Sequence, residues 1–227
     1  KALILMITNI QLVIFDMDGL MFDTEKVSFL SFKKAIALYG FALDTVTFNK
    51  TIGINIKKVK EVYLEKFGKD LPFDEMLEHK FTFAAEYIHR NGVPIKQGLY
   101  ELVNFLTSKR IKTAVATSSN RIVAMDLLNM AGLSKKFDYI LCGDEIKHSK
   151  PNPEIFLKTA NMLNCDPHKC LVLEDSEKGI AAASRAEMIA IMIPDLIAPN
   201  EVVIQKAFKI MSSLSDVKQY LENDLYV

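Results

Sequence analysis

The sequence predicts an α/β protein: a Rossmann-like parallel sheet with helices on both faces, interrupted early by an inserted helical domain. Three observations carry that prediction. From Leu99 to Ile193, short apolar runs alternate with amphipathic stretches, and continuous apolar runs suit strands covered on both faces. One similar run, Ile10 to Phe15, stands far upstream of this alternation. Between the two, Thr24 to about Asn91 carries helical periodicity and no convincing strand. The first strand therefore belongs with the later sheet, and the helical stretch is an insertion. Residues 1–22 and 93–227 form the predicted Rossmann-like core domain, and residues 23–92 the inserted one.

Length and composition bound the rest. The 227 residues, half of them apolar, suffice for one large domain or a medium domain carrying a smaller one. Lysine and arginine number 28, as do aspartate and glutamate, so there is no electrostatic case for nucleic acid or an anionic membrane surface. Lys1 to Met6 is apolar but too short to span a bilayer. Cys142, Cys165 and Cys170 are odd in number and lack the paired spacing of a zinc or redox site. Reduced thiols in a cytosolic, soluble protein are expected, with a monomer as the default.

Along the chain, Phe29, Phe32, Ile36 and Tyr39 recur at helical spacing, with Gly40 as a stop. Ile56, Val59, Tyr63 and Phe67 form a second stripe, ended by Gly68. Leu77, Phe81, Ala84 and Ile88 form a third, with Asp74 as its cap; all three stripes read as core. Asn91-Gly92-Val93-Pro94 breaks the run. Then follow a helix through Leu99, Leu102, Val103 and Leu106, a strand from Ile111 to Ala116, and a helix from Arg121 to Met130. A strand from Phe137 to Cys142 precedes a helix from Pro153 to Leu163. A fourth strand, Cys170 to Leu173, leads into a small-residue helix through Gly179, Ala181, Ala182 and Ala183. Met188 to Ile193 is the fifth strand.

Ligands of such sheets bind at the C-terminal edge of the strands, so the strand ends matter most. The first ends in Asp16-Met17-Asp18-Gly19, two carboxylates that would share a face if the strand continued. Like charges that close need compensation, by a divalent cation or by water at a solvated acidic turn. The second ends in Thr117-Ser118-Ser119-Asn120, hydroxyls and amides that suit a phosphate at a helix N-terminus, though such residues also serve as plain caps. After the third comes Lys150-Pro151-Asn152-Pro153, where a lone lysine is ordinarily solvated. The fourth ends in Glu174-Asp175-Ser176. Each signal is ordinary; their shared placement is not. Oxygen ligands from Asp16, Asp175 and Glu174 suit Mg²⁺, which commonly takes few carboxylates and a substrate phosphate.

These residues resemble the haloacid-dehalogenase-like superfamily of phosphatases and phosphomutases. Asp16-Met-Asp18-Gly-Leu is similar to its first motif, Thr117-Ser118 to its second, Lys150-Pro-Asn-Pro to its third and Glu174-Asp175 to its fourth. Residues 23–92 then resemble the family's small α-helical cap, as in the branch that holds β-phosphoglucomutase and sugar-phosphate phosphatases. The resemblance implies Asp16 as a nucleophile forming an aspartyl-phosphate, and Asp18 as general acid and base. It further implies Asp16, the Asp18 carbonyl, Glu174 and Asp175 as ligands to Mg²⁺. Thr117 and Ser118, with Ser119 nearby, would bind the phosphoryl group, and Lys150 would offset its charge. Asn55, in the loop expected to set specificity, could face the substrate.

Two departures separate phosphatase from mutase. The mutase branch looks to use a cap histidine where this chain has Ser28, and a cap arginine where it has Ile56. Both favour water as acceptor, and the resemblance implies a small phosphate ester, such as a sugar phosphate, as substrate. A competing class is the two-component receiver, which also builds an Mg²⁺-dependent aspartyl-phosphate. Its acidic pair is adjacent, whereas here the carboxylates alternate, and it has no inserted helical domain.

Overall fold

The computed structural model describes residues 9–52, 54 and 56–224. Lys1 to Met6 and Asn55, both considered above, lie outside the described residues. By contact the chain divides into two compact units, Lys1–Phe22 with Ile95–Val227, and Asp23–Pro94. No described helix is long and apolar enough to cross a membrane.

The first unit is built on six strands: β1 (Leu12–Phe15), β2 (Lys112–Ala116), β3 (Tyr139–Leu141), β4 (Cys170–Glu174), β5 (Ile189–Met192) and β6 (Lys209–Ile210). Their order is β3-β2-β1-β4-β5-β6, with every pairing parallel. Leu-Val-Ile-Phe of β1 is wholly buried, as are β4 and β5. That is what continuous apolar runs require when both faces are covered. Packed on the sheet, Phe156 and Ile180 join Leu12, Ile14 and Val172 in one core.

The third strand is shorter than the predicted Phe137 to Cys142. Asp138 instead clamps the entry, its Oδ2 accepting from the Thr113 amide at 2.8 Å, and Cys142 leads into a 3₁₀ turn over Gly143–Glu145. β6 was not anticipated, because its two residues are exposed and no apolar run marks them.

The second unit holds α1 (Thr24–Ala37), α2 (Thr45–Asn49), α3 (Ile56–Phe67) and α4 (Phe73–Asn91). Phe32, Ile36, Phe48, Val59, Tyr63, Phe73 and Met76 form its core. Of the expected stripe on α4, Leu77 packs against this core and Phe81 does not. Phe81 is 57% exposed, while Phe73 and Met76 are buried. Apolar residues line two faces of this helix, so spacing alone admits both phases, and packing selects the one through Phe73 and Met76. Nor does Asp74 cap it: Pro72 holds the N-cap position, and Asp74 Oδ2 accepts from Lys60 Nζ at 2.7 Å.

The helical unit enters and leaves the chain through a short ribbon. Phe22 and Ile95 form an antiparallel bridge. On one side of it the Lys96 amide bonds Met21 O, and on the other the Asp23 amide bonds Pro94 O, both at 2.9 Å.

The remaining helices of the first unit are α5 (Leu99–Ser108), α6 (Arg121–Met130), α7 (Glu154–Met162), α8 (Glu177–Arg185), α9 (Glu201–Lys206) and α10 (Leu214–Asp224).

Tyr63 is fully buried between Phe32 at 5.2 Å and Phe73 at 5.7 Å, ring centre to ring centre. Its hydroxyl has no hydrogen-bond partner. An unsatisfied buried hydroxyl is a net liability. Tyr63→Phe is therefore expected to raise the unfolding free energy by about 1 kcal/mol, read from urea denaturation. A loss of stability would show that the hydroxyl is satisfied in solution.

Candidate functional site

Asp16 follows β1 directly, and its amide bonds Leu173 O of β4 at 3.0 Å. Phe15 pairs with Val115 of β2 on one side and Leu173 of β4 on the other. The crossovers leave β1 in opposite directions here, so Asp16 stands at the topological switch point, where α/β sheets open a crevice.

The loop after β3 reaches the same point. Lys150 Nζ lies 2.5 Å from Asp16 Oδ1, 2.6 Å from Glu174 Oε1 and 3.1 Å from Ala116 O. Its side chain is only 6% exposed. Burial alone would drive the proton off this ammonium, but the Asp16 and Glu174 charges outweigh it and raise its pKa above the usual lysine range. Asp16 moves upward too. Burial pushes it to about 7, with Lys150 opposing and Glu174 and Asp18 adding repulsion. The ring of Phe156 lies 4.9 Å from Lys150 Nζ and closes the apolar side.

Asp18 has a different environment. It is half-buried, and its Oδ2 accepts from Ser119 Oγ at 2.7 Å and lies 3.4 Å from Thr117 Oγ1. Thr117 Oγ1 in turn accepts from the Ser119 amide at 3.0 Å. Neither Thr117 nor either serine caps α6. Asn120 does, accepting from the Val123 amide at 3.0 Å. The hydroxyls are thus released from the capping duty that sequence allowed them. Ser118 is exposed, and its backbone crowds Gly143, where a Cβ would lie 2.2 Å from Ser118 O.

Glu174 is fully buried. While Lys150 takes Oε1, its Oε2 accepts from the Asp175 and Ser176 amides at 3.1 and 3.0 Å and from Ser176 Oγ at 2.9 Å. Ser176 also caps α8. Gly179 lets that helix seat on the carboxylate, since a Cβ there would fall within 2.2 Å of Glu174 carboxyl atoms. Asp175 faces Gly19, which has φ +83° and whose hypothetical Cβ would meet Asp175 Oδ2 at 2.2 Å. Burial, then the charges of Glu174, Asp16 and Asp195, hold the Asp175 carboxyl well above its ordinary range.

Asp16, Asp18, Thr117, Ser119, Lys150, Glu174 and Asp175 therefore gather at one strand edge. Sequence reasoning missed Asp195, Lys96 and Gly143, while Gly179 was read as part of a small-residue helix. Asp195 was readable: Pro194-Asp195 follows the fifth strand, where the strand-end argument applied equally. Gly143 was not, because close approach depends on tertiary packing.

Five carboxyl groups (Asp16, Asp18, Glu174, Asp175, Asp195) meet two ammonium groups, Lys150 and Lys96. Carboxyl groups in such excess over ammonium groups, with hard oxygen donors throughout, fit a divalent cation of the Mg²⁺ type.

Comparison with known proteins shows the family. A family model described as haloacid dehalogenase-like hydrolase matches residues 13–193. A phosphorylated carbohydrates phosphatase of Thermotoga maritima is 31% identical over 92% of this chain and 89% of its own. A fructose-1-phosphate phosphatase of Escherichia coli is 30% identical over 79% of this chain and 94% of its own. A solved β-phosphoglucomutase from Clostridium difficile superposes with a TM-score of 0.73 at 28% identity, covering 95% of this chain and 97% of that one.

The raised carboxyls have a measurable consequence. Without metal, folded Asp16 and Asp175 hold protons that the unfolded chain has already released. Their stabilising contribution is full below about pH 4; that of Asp16 is lost as pH rises toward 7, and that of Asp175 as pH rises through its own raised range. Unfolding midpoints in chelator should fall between pH 5 and pH 7, and fall less in Asp175→Asn. Equal falls in the two proteins would contradict the assigned crowding.

Proposed function

This chain belongs to the haloacid dehalogenase-like hydrolase family and is a phosphatase enzyme; from that premise we propose that it hydrolyses a small phosphorylated metabolite, a sugar phosphate in the first instance, through an aspartyl-phosphate on Asp16. The observation that carries this reading is the Asp16 carboxylate fixed by buried Lys150 at the switch-point edge.

Asp16 Oδ attacks phosphorus, and the bond from phosphorus to the ester oxygen breaks. Asp18 gives its proton to that leaving oxygen. It then takes a proton from water, whose oxygen attacks the aspartyl-phosphate and releases inorganic phosphate. The different surroundings of the two acids support different jobs: Asp16 sits against an ammonium, Asp18 against hydroxyls that can orient a proton. Thr117, Ser118 and Ser119 hold the phosphoryl oxygens, and Lys150 offsets charge on them and on Asp16. Asp16, the Asp18 carbonyl, Glu174 and Asp175 would hold Mg²⁺, which when bound supplies positive charge for the transferring phosphoryl group. We assign residues 23–94 the part of the family's helical cap, Asn55 included, and take the protein to act as a cytosolic monomer.

A phosphomutase is the second reading, favoured by the likeness to the solved β-phosphoglucomutase. Ser28 and Ile56, where that branch looks to use histidine and arginine, weigh against it. Receiver-type signalling does not fit the family.

Asp16→Asn should keep the fold and reduce turnover of a chromogenic phosphate ester to background. Retained turnover in a folded variant would remove the nucleophile assignment. Excess chelator should abolish activity and Mg²⁺ restore it, so full activity in chelator would exclude the metal role. With β-glucose 1-phosphate, free phosphate should exceed glucose 6-phosphate; the reverse ratio would establish the mutase.

A further inference from the structure

Asp195 follows β5 at the same strand edge as the proposed ligands, and its side chain is 8% exposed. Lys96 Nζ lies 2.5 Å from Asp195 Oδ1. Asp195 Oδ2 is buried and has no hydrogen-bond partner, which is costly for a carboxylate oxygen. Its direction is informative. A Cβ built on Gly19 would meet Asp175 Oδ2 at 2.2 Å and Asp195 Oδ2 at 3.4 Å, so both oxygens face the same small volume beside Gly19.

We propose that Asp195 is a positioning residue for the bound cation, with Lys96 fixing Oδ1 and Oδ2 accepting a hydrogen bond from a water molecule on that cation. The inference rests on the phosphatase reading above, in which Asp16 and Asp175 are ligands. A small divalent cation of the Mg²⁺ type keeps several of its waters. Such waters donate and do not accept, because their lone pairs face the metal. An unpartnered, buried carboxylate oxygen next to a ligating carboxylate suits them. Lys96 sets the orientation of the carboxylate, and its own amide is tied to Met21 O at the end of the turn that follows Asp18.

The test uses Mn²⁺ as probe, titrated by electron paramagnetic resonance into the full-length protein without substrate. Asp195→Asn keeps the shape but puts a donor either against the metal-bound water or against Lys96. Loss of an outer carboxylate partner typically weakens metal binding roughly 10- to 100-fold, and that is the expected rise in Kd. The variant's unfolding midpoint in chelator is read alongside, and a rise in Kd measured well below that midpoint separates positioning from a general loss of structure. Should Asp195→Asn not fold, Lys96→Met with Asp195→Leu removes both charges together and avoids an unpaired buried ion; the same rise is expected. An unchanged Mn²⁺ Kd in either folded variant, beside a wild type that binds, overturns the role of Asp195 alone. A wild type that binds no Mn²⁺ overturns this role and the metal-dependent reading together.

Discussion

One buried ammonium ties this protein's chemistry to its fold. Lys150 Nζ joins the ends of β1, β2 and β4 through Asp16, Ala116 O and Glu174, from a loop that follows β3. Four elements far apart in sequence thus converge on one charge. Such a pairing is stable only because every partner is present. Breaking a buried pair by removing one member typically costs about 3–5 kcal/mol, since the survivor is left uncompensated. The same arrangement that satisfies Glu174 also holds Asp16 in place through Oδ1.

Around that charge the walls are backbone rather than side chain. Gly19, Gly143 and Gly179 each sit where a methyl group would collide with Asp175, with the Ser118 carbonyl or with Glu174. The absence of those methyls brings helix α8 onto a carboxylate and the Gly143 turn against the Ser118 backbone. Rigidity of this kind fixes reacting groups without spending side chains on the task. It also explains how Asp16 and Asp18, two residues apart, differ so much. The strand carries Asp16 into the buried network, and the turn over Gly19 sets Asp18 beside the hydroxyls of the next strand end.

Much of this was legible in the sequence, for a physical reason. Buried parallel strands must be apolar throughout, so β1, β4 and β5 announce themselves, and polar residues that follow them must lie at the C-terminal edge. Asp16, Asp18, Thr117, Lys150 and Glu174 were found by that logic. What escaped it lacked either signal. β6 is short and exposed, the face of α4 was ambiguous because its apolar residues spread over a wide arc that takes in both Phe73 and Phe81, and Asp74 lost its cap position to Pro72. Gly143 looks like any loop glycine until the chain is folded. Asp195 carried the signal, at the end of the fifth strand, yet lies outside the motifs that draw the eye.

The ribbon at Met21–Asp23 and Pro94–Lys96 has a consequence for descent and for engineering. Because the two ends of the helical stretch are already zipped together by backbone hydrogen bonds, the sheet does not depend on what lies between them. A lineage can exchange that stretch wholesale, or lengthen and shorten it, while the reacting groups on the strand ends remain in register. The strand-end groups and the helical stretch are then free to diversify at separate rates, joined at a graft point of six residues that is held by backbone hydrogen bonds.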